Sequence, residues 1–189
     1  MKHLKAVDIL ELLETEDYDL WQLRRDAPIK ELIQALQTAT NPEARDSICY
    51  VLGKRYAKSA APAIIECLSD EDERVRHSAA EALGSIRNPI AGEPLMRLFL
   101  NTYDDPGTQN WCASALGAVG YRPAIPYLIE ALKSPNFWVC GASAWSLGYL
   151  RVVVAEDALR EALAQATDWY PKTRILEALD LIKTAKEQT

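Results

Sequence analysis

A Leu-Gly pair recurs along this chain at nearly constant spacing, and that period limits what the chain can fold into. Four segments end on it: ARDSICYVLG at Gly53, VRHSAAEALG at Gly84, TQNWCASALG at Gly117 and VCGASAWSLG at Gly148, while a fifth, PKTRILEALD, ends at Asp180. The spacings are 31, 33, 31 and 32 residues. A period of this length marks supersecondary units that bury their apolar faces by stacking on one another. The extra residues of the longest interval fall in the loop NTYDDPGT, where insertion costs little.

Each segment has the periodicity of a helix. Counting back from the glycine, apolar or small residues stand at −9, −5, −4, −2 and −1, a helical stripe and not a strand alternation. Small residues at −4 (Cys49, Ala80, Ala113 and Ala144) allow close helix packing, and the glycine reads as a helix C-cap. The fifth segment departs from both rules with Leu176 and Asp180, as a terminal capping repeat does. A second helical pattern precedes each segment: IKELIQAL, PAIIECL, EPLMRLFL, IPYLIEAL and EDALREAL. Turn-forming clusters (TNPEA, SDEDE, YDDPG, KSPNF and ATDWY) join the two halves. The expected unit is helix, tight turn, helix and a short connection.

The VRxxAAxALG segment, a preceding PxLIxAL helix and a period near 31 resemble the short HEAT-like repeat of the phycobilisome (phycobilin) lyases over roughly residues 27–183. The expected fold is therefore all-α, an α-solenoid with right-handed superhelical stacking of about five HEAT-like hairpins. The expected units are about 27–57, 58–88, 89–120, 121–152 and 153–186, within an array over 27–189. Residues 1–26 carry Leu4, Val7, Leu10 and Leu13 and read as N-terminal capping helices.

In stacked hairpins the second helices line the concave side, and positions −10, −7, −3 and +1 turn away from the core stripe. The fourth repeat stands out, because Trp138, Trp145 and Tyr149 flank Gly141 on that face. Trp111 and Tyr170 extend the strip into neighbouring repeats, and Tyr50 and His77 occupy the same face earlier in the chain. Exposed aromatic surface of this kind marks a contact site. Phe137 and Trp169 stand at helix starts and read as turn packing. Arg45 and Arg76, both at −8, read as bridges to acidic residues of neighbouring repeats.

Other chemistry is absent from the residues. The chain carries 21 Lys and Arg against 27 Asp and Glu, a net charge of −6, which disfavours nucleic-acid and anionic membrane partners. No apolar run approaches the roughly 20 residues of a membrane helix, and no signal-peptide core follows Met1, so a cytoplasmic location is expected. Cys49, Cys67, Cys112 and Cys140 form no CxxC, the two histidines (His3 and His77) complete no zinc set, and buried thiols are expected. No phosphate loop, HExxH, GxSxG or dinucleotide fingerprint occurs. Nor does the His-Glu pairing with which HEAT-like deoxyhypusine hydroxylases hold iron, or the basic groove of HEAT-like DNA alkylation glycosylases.

The expected function is a non-catalytic scaffold or chaperone that holds a protein partner on the aromatic face, with no catalytic residue, metal or cofactor. The resemblance implies an alternative: a phycobilin lyase subunit, or another phycobiliprotein-handling factor, that stacks an open-chain tetrapyrrole on Trp138, Trp145 and Tyr149 and acts with a partner.

Overall fold

An Asn or Asp stands twelve residues before the repeat position held by Gly53, Gly84, Gly117, Gly148 and Asp180 in every repeat. In four of the five it caps a helix. Asn41 accepts from the Glu43 amide at 2.9 Å, Asp72 from Arg74 at 2.9 Å, Asp105 from Thr108 at 3.0 Å and Asn136 from Trp138 at 2.9 Å. Each cap satisfies a backbone donor that the first helical turn leaves open, an interaction of about 1 kcal/mol.

The structure, a computed structural model, describes residues 4–15, 20–102 and 105–188. His3, and residues 103 and 104 of the long turn, lie outside these. The chain forms two compact units, Met1–Ala91 and Gly92–Thr189. The first contains α1 (Ala6–Leu13), α2 (Leu20–Asp26), α3 (Ile29–Thr38), α4 (Pro42–Lys54), α5 (Ala61–Glu66) and α6 (Glu73–Ile86). The second contains α7 (Gly92–Asn101), α8 (Pro106–Ala118), α9 (Ile125–Ala131), α10 (Phe137–Tyr149), α11 (Glu156–Gln165) and α12 (Trp169–Glu187). Single 3₁₀ turns lead into α5, α9 and α11. The helical-hairpin repeat is thus present in both units. Within each, the second helices pack side by side: α4 on α6 in the first, and α8 on α10 on α12 in the second. None of the described helices is long and apolar enough to cross a membrane.

The stripe read from the sequence is the core. Leu52, Leu83, Leu116 and Leu147, at −1, are fully buried, as are Cys49, Ala80, Ala113 and Ala144 at −4. In the fifth repeat Leu176 stands at −4 and is exposed.

The glycines do a different job from the one expected. They do not end their helices, since α4, α6, α8 and α10 each run on past the Leu-Gly glycine. A Cβ on Gly53 would lie 2.7 Å from Ala82 Cα, one on Gly117 2.3 Å from Ser146 Oγ, and one on Gly148 2.5 Å from Ala178 Cα. Each of these three glycines therefore meets the −2 residue of the next repeat at backbone contact. The left-handed cap comes three residues later, at Tyr56, Arg87, Gly120 and Arg151, with φ of 51°, 54°, 76° and 53°. After α4 the Ala57 amide donates to the Leu52 carbonyl at 3.1 Å and Tyr56 to Gly53 at 3.0 Å, the paired bonds of a Schellman turn. In the third repeat alone the cap residue is a glycine.

Arg45 bridges repeats as anticipated. It grips Asp70 with two bonds of 2.6 and 3.0 Å and also donates to the Ala39 and Thr40 carbonyls. Arg76 donates to the Asp70 and Glu71 carbonyls of the turn before its own helix. The Asp70 side chain is 9% exposed, and its hydrogen bonds to Arg45 hold its carboxyl below the ordinary value, against the opposing cost of burial.

Three outcomes follow for stability, all readable by urea denaturation. Gly53→Ala gains roughly 0.5–1 kcal/mol of helix propensity but forces overpacking worth about 1–3 kcal/mol, so it destabilises. Tyr56→Gly relieves left-handed strain of about 1–2 kcal/mol, loses part of that to chain entropy, and stabilises. Asp70→Asn lowers stability at pH 7 by about 1–3 kcal/mol. A depressed folded carboxyl contributes above the unfolded value of about 3.9 and loses that contribution as pH falls through the folded value. The gap between wild type and Asp70→Asn therefore closes below about pH 4.

Candidate functional site

The outward positions of the second helices carry opposite chemistry in the two units. In the first unit they are tied by charge. Lys54 pairs with Glu81 at 2.8 Å and lies 5.0 Å from the Tyr50 ring centroid, Arg74 reaches Glu43 at 3.6 Å, and Ser78 donates to Asp46. Tyr50, 38% exposed, lines a hollow of about 430 Å³ with Leu20, Arg24, Asp46, Ser47 and Ser78. His77 is half-buried on α6 and does not line it.

In the second unit the same positions are aromatic or uncharged over α8 and α10. Trp138 sits in the first turn of α10, where Asn136 caps the helix, and its ring lies 4.5 Å from Tyr170 at 54°. Phe137 tilts against Trp138 at 4.8 Å, and Trp169 meets Tyr170 edge-on at 5.8 Å. With Trp111 on α8, Trp138 and Tyr170 wall a pocket of about 370 Å³, completed by Pro106, Gly107, Asn110, Ser114 and Asn136. None of these residues is charged. Arg174 lies beside the site, 5.5 Å from the Tyr170 ring centroid and paired with Glu177 at 2.9 Å.

Trp145 and Tyr149 form a second cluster, two turns further along α10, with their rings stacked 5.1 Å apart at 18°. The strip expected across α10 is therefore two clusters, and the Gly141 that they flank is not open space. A Cβ there would lie 2.3 Å from Tyr170 Cε1, so the missing side chain is the seat of that ring. Of the residues singled out from the sequence, Trp111, Trp138 and Tyr170 share a pocket, Gly141 supports it from below, and Trp145 and Tyr149 stand apart from it. Asn136 was missed as a wall residue, although its place twelve before Gly148 signals it. All four cysteines are buried, and burial pushes the Cys140 thiol up, away from reactivity.

The sequence profile described as HEAT repeats matches residues 29–106 and 99–180. Among curated proteins, the chain is 29% identical over 127 residues to a deoxyhypusine hydroxylase of Drosophila pseudoobscura pseudoobscura, covering 67% of this chain and 38% of that protein. It is 26% identical over 127 residues to the Drosophila melanogaster deoxyhypusine hydroxylase, with the same coverage of each. The chain thus spans well under half the length of these relatives. Among solved structures, it superposes on the complex of CpcE and CpcF of phycocyanin lyase from Nostoc sp. PCC7120 with a TM-score of 0.70 and 25% identity, covering 96% of this chain and 78% of that one.

These relatives correct the expected function. They are named as enzymes, which overturns the reading of a non-catalytic scaffold or chaperone. The bilin-lyase alternative fares no better, since the curated relatives carry the hydroxylase name and the likeness to the lyase is one of fold. A hydroxylase requires a redox-active metal or an organic cofactor, and metal sites of that class draw on converging His and carboxylate ligands. Among the described residues no group of three or more His, Cys, Asp or Glu could hold a metal ion, and His77 is the one histidine. The described residues do not fit such a centre. The repeat profile covers most of the chain, and the protein belongs to the HEAT-repeat family.

Proposed function

We propose that this chain is part of an enzyme of the kind its relatives are named for, a deoxyhypusine hydroxylase, and that its part is to seat the substrate. The observation that carries the reading is the uncharged pocket of Trp111, Trp138 and Tyr170, in a fold shared with named enzymes. A long side chain entering it lays its apolar stem against the indole faces, where each buried methylene is worth about 0.8 kcal/mol. Asn110 and Ser114 offer polar contacts at the wall.

The oxidising centre lies outside the described residues and is supplied by another segment or a second protein. The likeness to a two-protein lyase complex supports a protein partner. No step of the chemistry is assigned to residues of this chain; their work is to bind and orient.

Titrating free deoxyhypusine while following tryptophan emission tests the reading. Saturable change is expected for the wild type, and Trp138→Ala removes it while helical circular dichroism is retained. Gly141→Ala, which expels the Tyr170 ring, weakens binding about tenfold, the scale of one lost ring contact. Unchanged emission at saturating deoxyhypusine, or equal binding by Trp138→Ala, overturns it.

A further inference from the structure

The repeat frame gives each position a counterpart, and one junction departs from its counterpart in an informative way. Between the first two repeats, Arg45 at −8 and Asp70 at −14 of the next repeat form the two-bond bridge described above. Between the third and fourth, the same positions hold Gln109 and Ser134. The turn itself is preserved. The Asn136 amide donates to Ser134 Oγ at 3.2 Å, as the Asp72 amide donates to Asp70 Oδ1 at 3.0 Å.

The bridge is gone. Gln109 is only 8% exposed, and its side-chain amide has no hydrogen-bond partner among the described residues. That amide lines the wall of an open pocket and is free to bond whatever fills it. The pocket, of about 360 Å³, is also walled by Phe99, Tyr127, Pro135 and Val139, with Ser134 at its edge. Phe99 and Val139 are buried core residues, so the floor is fixed. The charges at the rim, Glu130 and Lys133, pair with each other at 2.9 Å. This pocket shares Pro106 and Asn136 with the aromatic pocket but none of its tryptophans.

We propose that this pocket binds a small uncharged molecule with an apolar body and a planar amide edge. A primary amide offers a donor and an acceptor side by side and is matched by another amide. The aromatic and aliphatic walls take the body, and the volume lies in the range of small-ligand sites, about 300–1,000 Å³. A charged ligand finds no unpaired counter-ion, because Glu130 and Lys133 satisfy each other. The site stands independently of the substrate reading given above.

Benzamide is the probe, followed through the Gln109 side-chain NH₂ signals in nitrogen-15 correlation spectra. Saturable shifts are expected with benzamide, and binding about tenfold weaker with benzoate and benzylamine, the scale of one charge-mismatched contact. Gln109→Leu weakens benzamide binding about tenfold for the same reason, as read by ligand-detected relaxation, while Trp138→Ala leaves it unchanged. The double variant Gln109→Arg with Ser134→Asp rebuilds the bridge of the first junction, so it folds, and its longer side chains fill the pocket and abolish binding. Absence of saturable shifts, equal binding of all three probes, or undiminished binding by the double variant overturns the proposal.

Discussion

The architecture within each unit depends on one contact: the backbone of Gly53, Gly117 and Gly148 against the −2 residue of the following repeat. Backbone approach at that point sets the spacing of adjacent second helices within a unit, and close-packed interiors leave no slack to absorb a methyl group there. The partner must be small in turn, and Ala82, Ser146 and Ala178 fill that role. Ser146 shows how tightly the position is held. It is fully buried, and its hydroxyl is accommodated by donating to the Ala113 carbonyl at 2.7 Å. With the spacing set, the −1 leucines fall into the shared core, and the −10, −7, −3 and +1 positions turn away from it.

Much of this was legible because the repeat supplies its own controls. The buried stripe, and a bridge from Arg45 to an acidic residue of a neighbouring repeat, follow from spacing; that the partner is Asp70 comes from the structure. The glycine was misread because a helix C-cap and a close helix contact both demand a missing Cβ. What separates them is the position three residues on, where Tyr56, Arg87 and Arg151 take left-handed backbone at a cost. Only Gly120 shows the usual cap residue there, and a single instance in four repeats is too weak a pattern to read.

The site was legible by face and not by depth. Periodicity put Trp138, Gly141 and Trp145 on one side of α10, but it could not say that Tyr170 from the next repeat would fill the space over Gly141. That ring divides the strip and, with Trp111, turns one half into a pocket. The first unit illustrates the alternative outcome. Its corresponding positions carry Glu43, Asp46, Lys54, Arg74 and Glu81, of which Lys54 pairs with Glu81, Arg74 with Glu43, and Asp46 accepts from Ser78. Exposed pairs of this kind are worth little individually, about 0–1 kcal/mol, yet they occupy the donors and acceptors that a ligand would need.

Departures from the repeat are therefore more informative than the repeat itself. Where Arg and Asp stand at −8 and −14, the junction is closed by a bidentate ion pair; where Gln109 and Ser134 stand, the same turn geometry survives and the interior is left open. Losing both charges together leaves no unpaired ion, so the change is tolerated, whereas losing one alone would strand the other. What remains is the Gln109 amide, bonded to no described residue, on the wall of a pocket with a rigid apolar floor. A stacked-repeat frame can carry such a site without disturbing its neighbours, because the close glycine contacts that hold α8 to α10 and α10 to α12 lie at the opposite ends of those helices.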